Sequence, residues 1–129
     1  MSANDGEWHH ICTSWENTDG SLQFYKDGIL AASNTNFKVG HVIGSGGSLV
    51  LGQEQDSLAG SFETQQSFQG LLTNVNVWDY VLCPKVIARM SNACLSAWVG
   101  NVYRWSQFQP GIKGEPKLVI PSPCSPSGD

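Results

Sequence analysis

Residues 8–32 read WHHICTSWENTDGSLQFYKDGILAA and contain three extended segments joined by two tight turns. The alternation of apolar and polar side chains predicts a buried strand at 8–15 and further strands at 21–26 and 29–32. The DG pair at 27–28 is typical of a hairpin turn whose residues need positive φ. Strand signals separated by turns at this short spacing indicate an all-β sandwich.

Outside this stretch, the chain predicts more strands and one helix. Further strands are predicted at 48–53, 68–80 and 102–105 from their apolar residues. The helix is predicted at 84–93, because proline suits the first helical position and apolar residues recur at spacings of three and four. These apolar residues are Val86, Ile87 and Met90.

Length and composition limit the organisation and the classes of function. A complete sandwich of this type needs roughly 200 residues, so 129 residues predict one partial domain at 1–124 and a disordered tail at 125–129. No run of apolar residues is long enough for a membrane span, and the first ten residues, MSANDGEWHH, show no signal peptide. Seven basic against eleven acidic residues do not suggest a nucleic-acid partner.

Oxygen-bearing side chains are concentrated between two predicted strands, in LVLGQEQDSLAGSFETQQSF at 49–68. Glu54 and Asp56 are two residues apart, so an extended chain places both carboxylates on one side and lets the Gln55 carbonyl turn inward. Calcium binds six to eight oxygens at irregular angles, whereas zinc prefers His or Cys. The sequence therefore predicts a calcium site with ligands Glu54, the Gln55 carbonyl, Asp56, Glu63 and Gln66. The alternative is an acidic hairpin loop whose charges face water, which a bare E-x-D pattern more often indicates.

Three phrases carry a resemblance to a known family: HICTSW at 10–15, LVLGQEQDS at 49–57 and GLLTNVNVWDYVL at 70–82. HxCxSW is the signature of the pentraxins, and the chain resembles the later part of a pentraxin domain from about residue 8 to about residue 124. The resemblance implies an antiparallel jelly-roll β-sandwich of the concanavalin or laminin-G type with one helix. The first several strands of the family have no counterpart in this chain.

The resemblance also implies a ligand set and a function. In pentraxins the corresponding loop carries two adjacent calcium ions. Glu54, the Gln55 carbonyl and Asp56 resemble the shared ligands, while Glu63 and Gln66 resemble those that complete the second ion. An Asp-Asn pair of the first calcium site and much of the choline-headgroup pocket belong to the part without a counterpart. The implied protein is a secreted or extracellular, lectin-like pattern-recognition domain of innate immunity. It binds phosphate-bearing or other anionic ligands through calcium, and an intact domain forms a homo-oligomer such as a pentamer.

Four cysteines allow three complete disulfide pairings: Cys12, Cys83, Cys94 and Cys124. Cys83 and Cys94 flank the predicted helix and would lie about 16 Å apart, too far for a disulfide, so two complete pairings stay open. The resemblance implies a Cys94–Cys124 disulfide, like a pair in the longer neuronal-type pentraxins, and an unpaired Cys12. It assigns no partner to Cys83, and reduced cysteines in a cytosolic domain are the alternative.

A jelly-roll glycoside hydrolase is the enzymatic alternative, because such enzymes also show an E-x-D pattern on a strand. Their chemistry needs a nucleophile and an acid at a fixed separation, usually with another Glu two or three residues after the Asp. The next carboxylate after Asp56 is Glu63, so the spacing favours cation coordination and we expect no enzymatic activity.

A further alternative keeps the fold and changes the role. A pentraxin-like or laminin-G-like module within a larger cell-surface or matrix protein would engage protein partners with or without calcium. The residues of this chain fit that role and a soluble oligomer subunit equally well.

Overall fold

The computed structural model describes residues 2–93, 98–120 and 122–124. It divides into two compact units, one formed by Met1–His41 with Thr73–Asp129 and the other by Val42–Leu72. The first unit contains strands β1 (Ile11–Glu16), β2 (Ser21–Lys26) and β3 (Ile29–Asn34), helix α1 (Pro84–Ser91), and short 3-10 turns at Trp105–Gln107 and Gln109–Gly111. The second unit contains a 3-10 turn at Thr64–Gln66.

The three strands form one antiparallel sheet in the order β1-β2-β3. The register pairs Cys12 with Tyr25, and β2 meets β3 with an irregularity between Phe24 and Tyr25. Asp27 and Gly28 have φ of 52° and 78°, as the hairpin prediction requires. The bounds of β2 agree with the prediction, while β1 begins three residues later than predicted and β3 ends two residues later.

Helix α1 packs against Cys12 and Tyr25, on β1 and β2, and forms the core with them. Its buried residues Ile87 and Met90 cluster with Tyr25 and Leu82, and Cys12 packs against the cluster. Cys12 and Tyr25 are direct partners in the register and therefore share a face. The helix ends two residues before the predicted bound, because the backbone at Asn92 leaves the helical conformation.

The prediction of a buried strand at 8–15 is wrong, because residues 8–15 are half-buried or exposed. Ile11 belongs to the face of β1 opposite Cys12 and is 46 % exposed, because successive side chains of a strand point to opposite faces. In the part of the chain that the structure describes, the helix provides the core for the Cys12 face alone.

The strands predicted at 48–53, 68–80 and 102–105 are also not formed. Their extended segments make isolated bridges, at Gln53 with Ser67 and at Val77 with Tyr103. A strand requires a hydrogen-bonded neighbour along its length, whereas apolar alternation only specifies which face is buried. Within the described residues no helix has the length and apolar character that a membrane crossing requires. The predicted tail at 125–129 lies outside the described residues.

Candidate functional site

The candidate calcium loop spans residues 53–67, and its two ends are hydrogen-bonded to each other. We call these ends, Gly52 and Gln53 with Ser67 and Phe68, the neck. The Phe68 amide donates to the Gly52 carbonyl at 2.8 Å, and the Gln53 side-chain amide donates to the Ser67 hydroxyl. Gly52 has φ of 87°, a left-handed conformation that glycine adopts without steric cost. The two ends of the loop are therefore held together on either side of the predicted ligands.

Inside the loop, the side chain of Gln55 has a structural role. Its Nε2 donates to the Ser48 carbonyl at 2.7 Å, and its Oε1 accepts from the Ala59 amide at 2.9 Å. The next turn is closed by the Gly60 amide on the Ser57 carbonyl at 3.0 Å. The backbone carbonyl of Gln55, which is the predicted ligand atom, thus belongs to a residue whose side chain is hydrogen-bonded through both of its polar atoms.

The predicted carboxylate ligands lie on the surface of this loop. Glu54, Asp56, Glu63 and the amide Gln66 are exposed, whereas Gln55 is half-buried. Gln55 and Asp56 border a shallow depression of about 300 Å³ together with Ser48, Ser57 and Leu58. Glu54, Glu63 and Gln66 do not line it, and the described chain holds no group of three His, Cys, Asp or Glu side chains close enough to bind one metal ion.

The chemistry of the loop fits calcium even though its carboxylates are not preassembled. Among the described residues, the carboxylates of Glu54, Asp56 and Glu63 enter neither of the two ion pairs. At the neck, Gln53 Oε1 is buried and accepts no hydrogen bond from the described residues. A buried oxygen without a donor is costly, and a nearby cation is one way to compensate that cost.

A second group of charged residues was not predicted from the sequence. His9 Nδ1 lies 2.8 Å from Asp27 Oδ2, and His9 Nε2 lies 2.9 Å from Asp5 Oδ1. Asp27 Oδ1 also accepts from the His10 amide at 2.9 Å. We call Asp5, His9 and Asp27 the histidine clasp. The sequence signal for it is the hairpin register, which returns Asp27 beside the residues that precede β1.

The clasp shifts the pKa values of its members in a consistent direction. Hydrogen bonds to Asp27 and then to Asp5 raise the pKa of His9. The hydrogen bond from the Glu7 amide and the one from His9 lower the pKa of Asp5. Slight burial acts to raise the pKa of Asp27. The hydrogen bonds from His9 and from the His10 amide outweigh it, so the pKa of that carboxyl is lowered. The imidazole is therefore favoured in its charged form between two carboxylates.

His10 and Cys12 face a different environment from His9. Burial lowers the pKa of His10 and raises the pKa of the Cys12 thiol. Cys12 and Cys83 are free thiols, so Cys12 is unpaired, as the family resemblance implies. Cys94 lies outside the described residues, and the Cys94–Cys124 disulfide stays a prediction.

Comparison with known proteins places the chain in a family. The model described as Pentaxin family matches residues 1–120. The rat (Rattus norvegicus) Sushi, von Willebrand factor type A, EGF and pentraxin domain-containing protein 1 is 44% identical over 120 residues, covering 91% of this chain and 3% of that protein. Human (Homo sapiens) neuronal pentraxin-1 is 41% identical over 111 residues, covering 86% of this chain and 26% of that protein.

A solved structure agrees with this similarity. The native heptameric SAP-like pentraxin from Limulus polyphemus has a TM-score of 0.74 and 34% sequence identity, covering 81% of this chain and 48% of that chain. The present chain thus spans a small part of its curated relatives and about half of the solved one. The antiparallel β-sandwich predicted from the sequence is confirmed as the fold class. The chain belongs to the pentraxin family.

Proposed function

We propose that this chain is a calcium-dependent ligand-binding domain that recognises phosphate-bearing or other anionic ligands. The observation that carries the proposal is the loop at 53–67, in which the exposed carboxylates form no ion pair with any residue that the structure describes and the two ends of the loop are hydrogen-bonded to each other. Glu54, the Gln55 carbonyl, Asp56, Glu63 and Gln66 would hold calcium, with two ions in an intact domain. When bound, the ion supplies positive charge and open coordination positions for ligand oxygens.

The loop's own residues orient the ligand and stabilise the loop. The bonds of Gln55 to Ser48 and Ala59 restrict its backbone, which lowers the entropic cost of ordering the loop around a ligand. The depression beside Asp56 offers the hydroxyl of Ser57 and the apolar side chain of Leu58 to the uncharged part of a ligand. The separate carboxylates would have to approach one another on binding, so we expect calcium to order the loop.

The family supports binding in general, whereas calcium, location and assembly are our proposal. Pentraxin-family domains are ligand-binding, non-enzymatic modules that oligomerise. We infer that this domain acts in an extracellular setting and assembles as a homo-oligomer, for which a pentamer is our expectation. The solved relative from Limulus polyphemus is a heptamer, so the subunit number requires measurement.

One comparison favours a second candidate function. The rat relative is a protein in which the matched segment is 3% of the length and accompanies sushi, von Willebrand factor type A and EGF domains by name. This chain would then serve as an interaction module of a larger protein. Ligand binding that persists at full strength after calcium is removed would favour this role.

The calcium proposal is tested by titration calorimetry of the full chain with calcium chloride. We expect Glu54→Gln and Asp56→Asn each to weaken calcium affinity at least tenfold, about 1.4 kcal/mol, because each removes a charge from a multi-carboxylate site. Glu115→Gln is the matched control, since Glu115 is also exposed but lies outside the loop. Retention on a phosphocholine-bearing resin should require calcium and be lost with EDTA. Unchanged calcium affinity in both loop variants would refute the assignment.

A further inference from the structure

The first structural unit contains an open depression whose chemistry is unrelated to that of the acidic loop. It measures about 370 Å³, within the range of about 300–1,000 Å³ that small-molecule sites occupy. Its lining includes two tryptophans, one arginine and two asparagines: Trp98, Trp105, Arg104, Asn74 and Asn76. The two chain segments that provide them, 73–78 and 98–109, carry no charged residue except Arg104.

A hydrogen-bonded base holds these two segments together. The Val77 amide donates to the Tyr103 carbonyl at 2.8 Å, and the Val102 amide donates to the Val77 carbonyl at 3.0 Å. Asn76 adds a side-chain link, because its Oδ1 accepts from the Gly100 amide at 3.1 Å. The base of the depression is therefore a connected network, and Asn76 acts as a positioning residue.

The two tryptophans that line the depression keep part of their surface exposed. The ring of Trp105 lies 6.3 Å from that of Phe108, a tilted aromatic pair that braces the indole. Trp105 and Trp98 are still 36% and 40% exposed. Both ion pairs of the described residues belong to His9, so the charge of Arg104 has no carboxylate partner there.

We propose that this depression is a calcium-independent binding site for a carboxylate-bearing saccharide. Indole faces pack against the apolar C–H face of a sugar ring, and a guanidinium binds a carboxylate through two parallel hydrogen bonds. The Asn74 side-chain amide can donate to a sugar hydroxyl. A neutral sugar would leave Arg104 unmatched, and inorganic phosphate would leave both indoles unmatched. An acidic sugar such as a hexuronate satisfies all three kinds of group.

The negative net charge of the chain makes a local cation necessary for binding an anion. At a formal charge of −4, the protein as a whole repels anions, so an anionic ligand must be attracted locally. Arg104 supplies the local charge. The site is distinct from the acidic loop because it uses cationic and aromatic groups and needs no metal ion.

The test is a titration of the full chain with D-glucuronate, followed by the NMR signals of the tryptophan indole N–H groups. EDTA is present throughout, so that no calcium can bind to the loop at 53–67. The result therefore does not depend on whether the calcium proposal is correct. We expect saturable shifts of the Trp98 and Trp105 signals in the millimolar range, and little response to D-glucose. The substitution Arg104→Met should weaken glucuronate binding about tenfold or more, since it removes a charge-assisted hydrogen-bonded pair.

Two further variants separate binding from folding. Arg89→Met removes an exposed arginine of α1 and should bind glucuronate like the unaltered chain. Arg104→Lys keeps the charge but lacks the planar guanidinium, so it should bind glucuronate with intermediate affinity. This variant tests the proposal if Arg104→Met does not fold. Equal responses to glucose and glucuronate would overturn the proposal. So would equal affinity of the Arg104→Met and Arg89→Met variants, absence of saturation, or binding of an acidic peptide in place of the sugar.

Discussion

Replacing Gly100 by alanine should separate the two segments that form the base of the Trp98–Trp105 depression. Gly100 is buried, and a Cβ there would fall on the Tyr103 carbonyl oxygen and lie 2.5 Å and 2.7 Å from the Val77 oxygen and nitrogen. All three atoms belong to the backbone, so no side-chain rotation relieves the overlap. The segments at Val77 and Tyr103 must therefore move apart to accommodate one methyl group.

The size of the effect follows from the hydrogen bonds that this movement breaks. Separation removes the bonds of the Val77 amide to Tyr103, of the Val102 amide to Val77, and of the Gly100 amide to Asn76. Each bond contributes about 0.5–1.5 kcal/mol net, so the free energy of unfolding should fall by about 1.5–4.5 kcal/mol. That is a large share of the roughly 5–15 kcal/mol that stabilises an ordinary domain.

Urea unfolding of the full chain, followed by tryptophan fluorescence, measures this loss. Gly111→Ala is the matched control, because a Cβ at Gly111 would meet nothing within 4 Å and should change stability by less than about 1 kcal/mol. The Gly100 variant should also lose glucuronate binding, since the walls of the depression depend on its base. A Gly100→Ala protein with the same urea midpoint as the Gly111→Ala control would refute the steric argument.

Two other predictions concern the histidine clasp and the helix core. The pKa of His9 is raised, so its contribution to stability is complete below the ordinary histidine value of 6.5 and is lost as pH rises through the higher folded value. The lowered pKa values of Asp5 and Asp27 add stability that is complete above 3.8 and is lost as pH falls through their folded values. The contribution of the clasp to the urea midpoint should thus be highest between these limits, and His9→Gln should remove the part of the decline above pH 6.5 that the clasp causes. An unaltered profile in that variant would contradict the prediction. In the core, Ile87→Ala should cost about 2–5 kcal/mol, because Ile87 is fully buried. A loss below about 1 kcal/mol in urea unfolding would show that the site is not closely packed.

The local structure that could be predicted from the sequence is the part decided by short-range chemistry. The Asp27-Gly28 pair predicts positive φ at both positions, and the structure has it. Pro84 predicts the first helical residue, where its missing amide costs nothing, and α1 begins there. In both cases one or two residues are sufficient to specify the conformation.

Long-range structure could not be predicted in the same way. The apolar pattern at 48–53 and 68–80 specifies faces, but a strand also depends on a partner whose position the pattern does not give. Ile11 shows the same limit, because its apolar character suits the interior of a sandwich although it is 46 % exposed in this chain. Similarly, the clasp joins Asp5 and Asp27 across a hairpin, and only the register brings them to one imidazole.

The acidic loop shows how much of a candidate site the residue types and their spacing can predict. Residue types and spacing select calcium over zinc, yet they give Gln55 only one role, as a carbonyl ligand. In the structure the Gln55 side chain has a second role, because it is hydrogen-bonded to both Ser48 and Ala59. The Gln55 carbonyl, which is the proposed ligand atom, therefore belongs to a restrained backbone, whereas the carboxylates of Glu54 and Glu63 are exposed. We therefore expect calcium to draw the carboxylates toward the Gln55 carbonyl rather than the reverse.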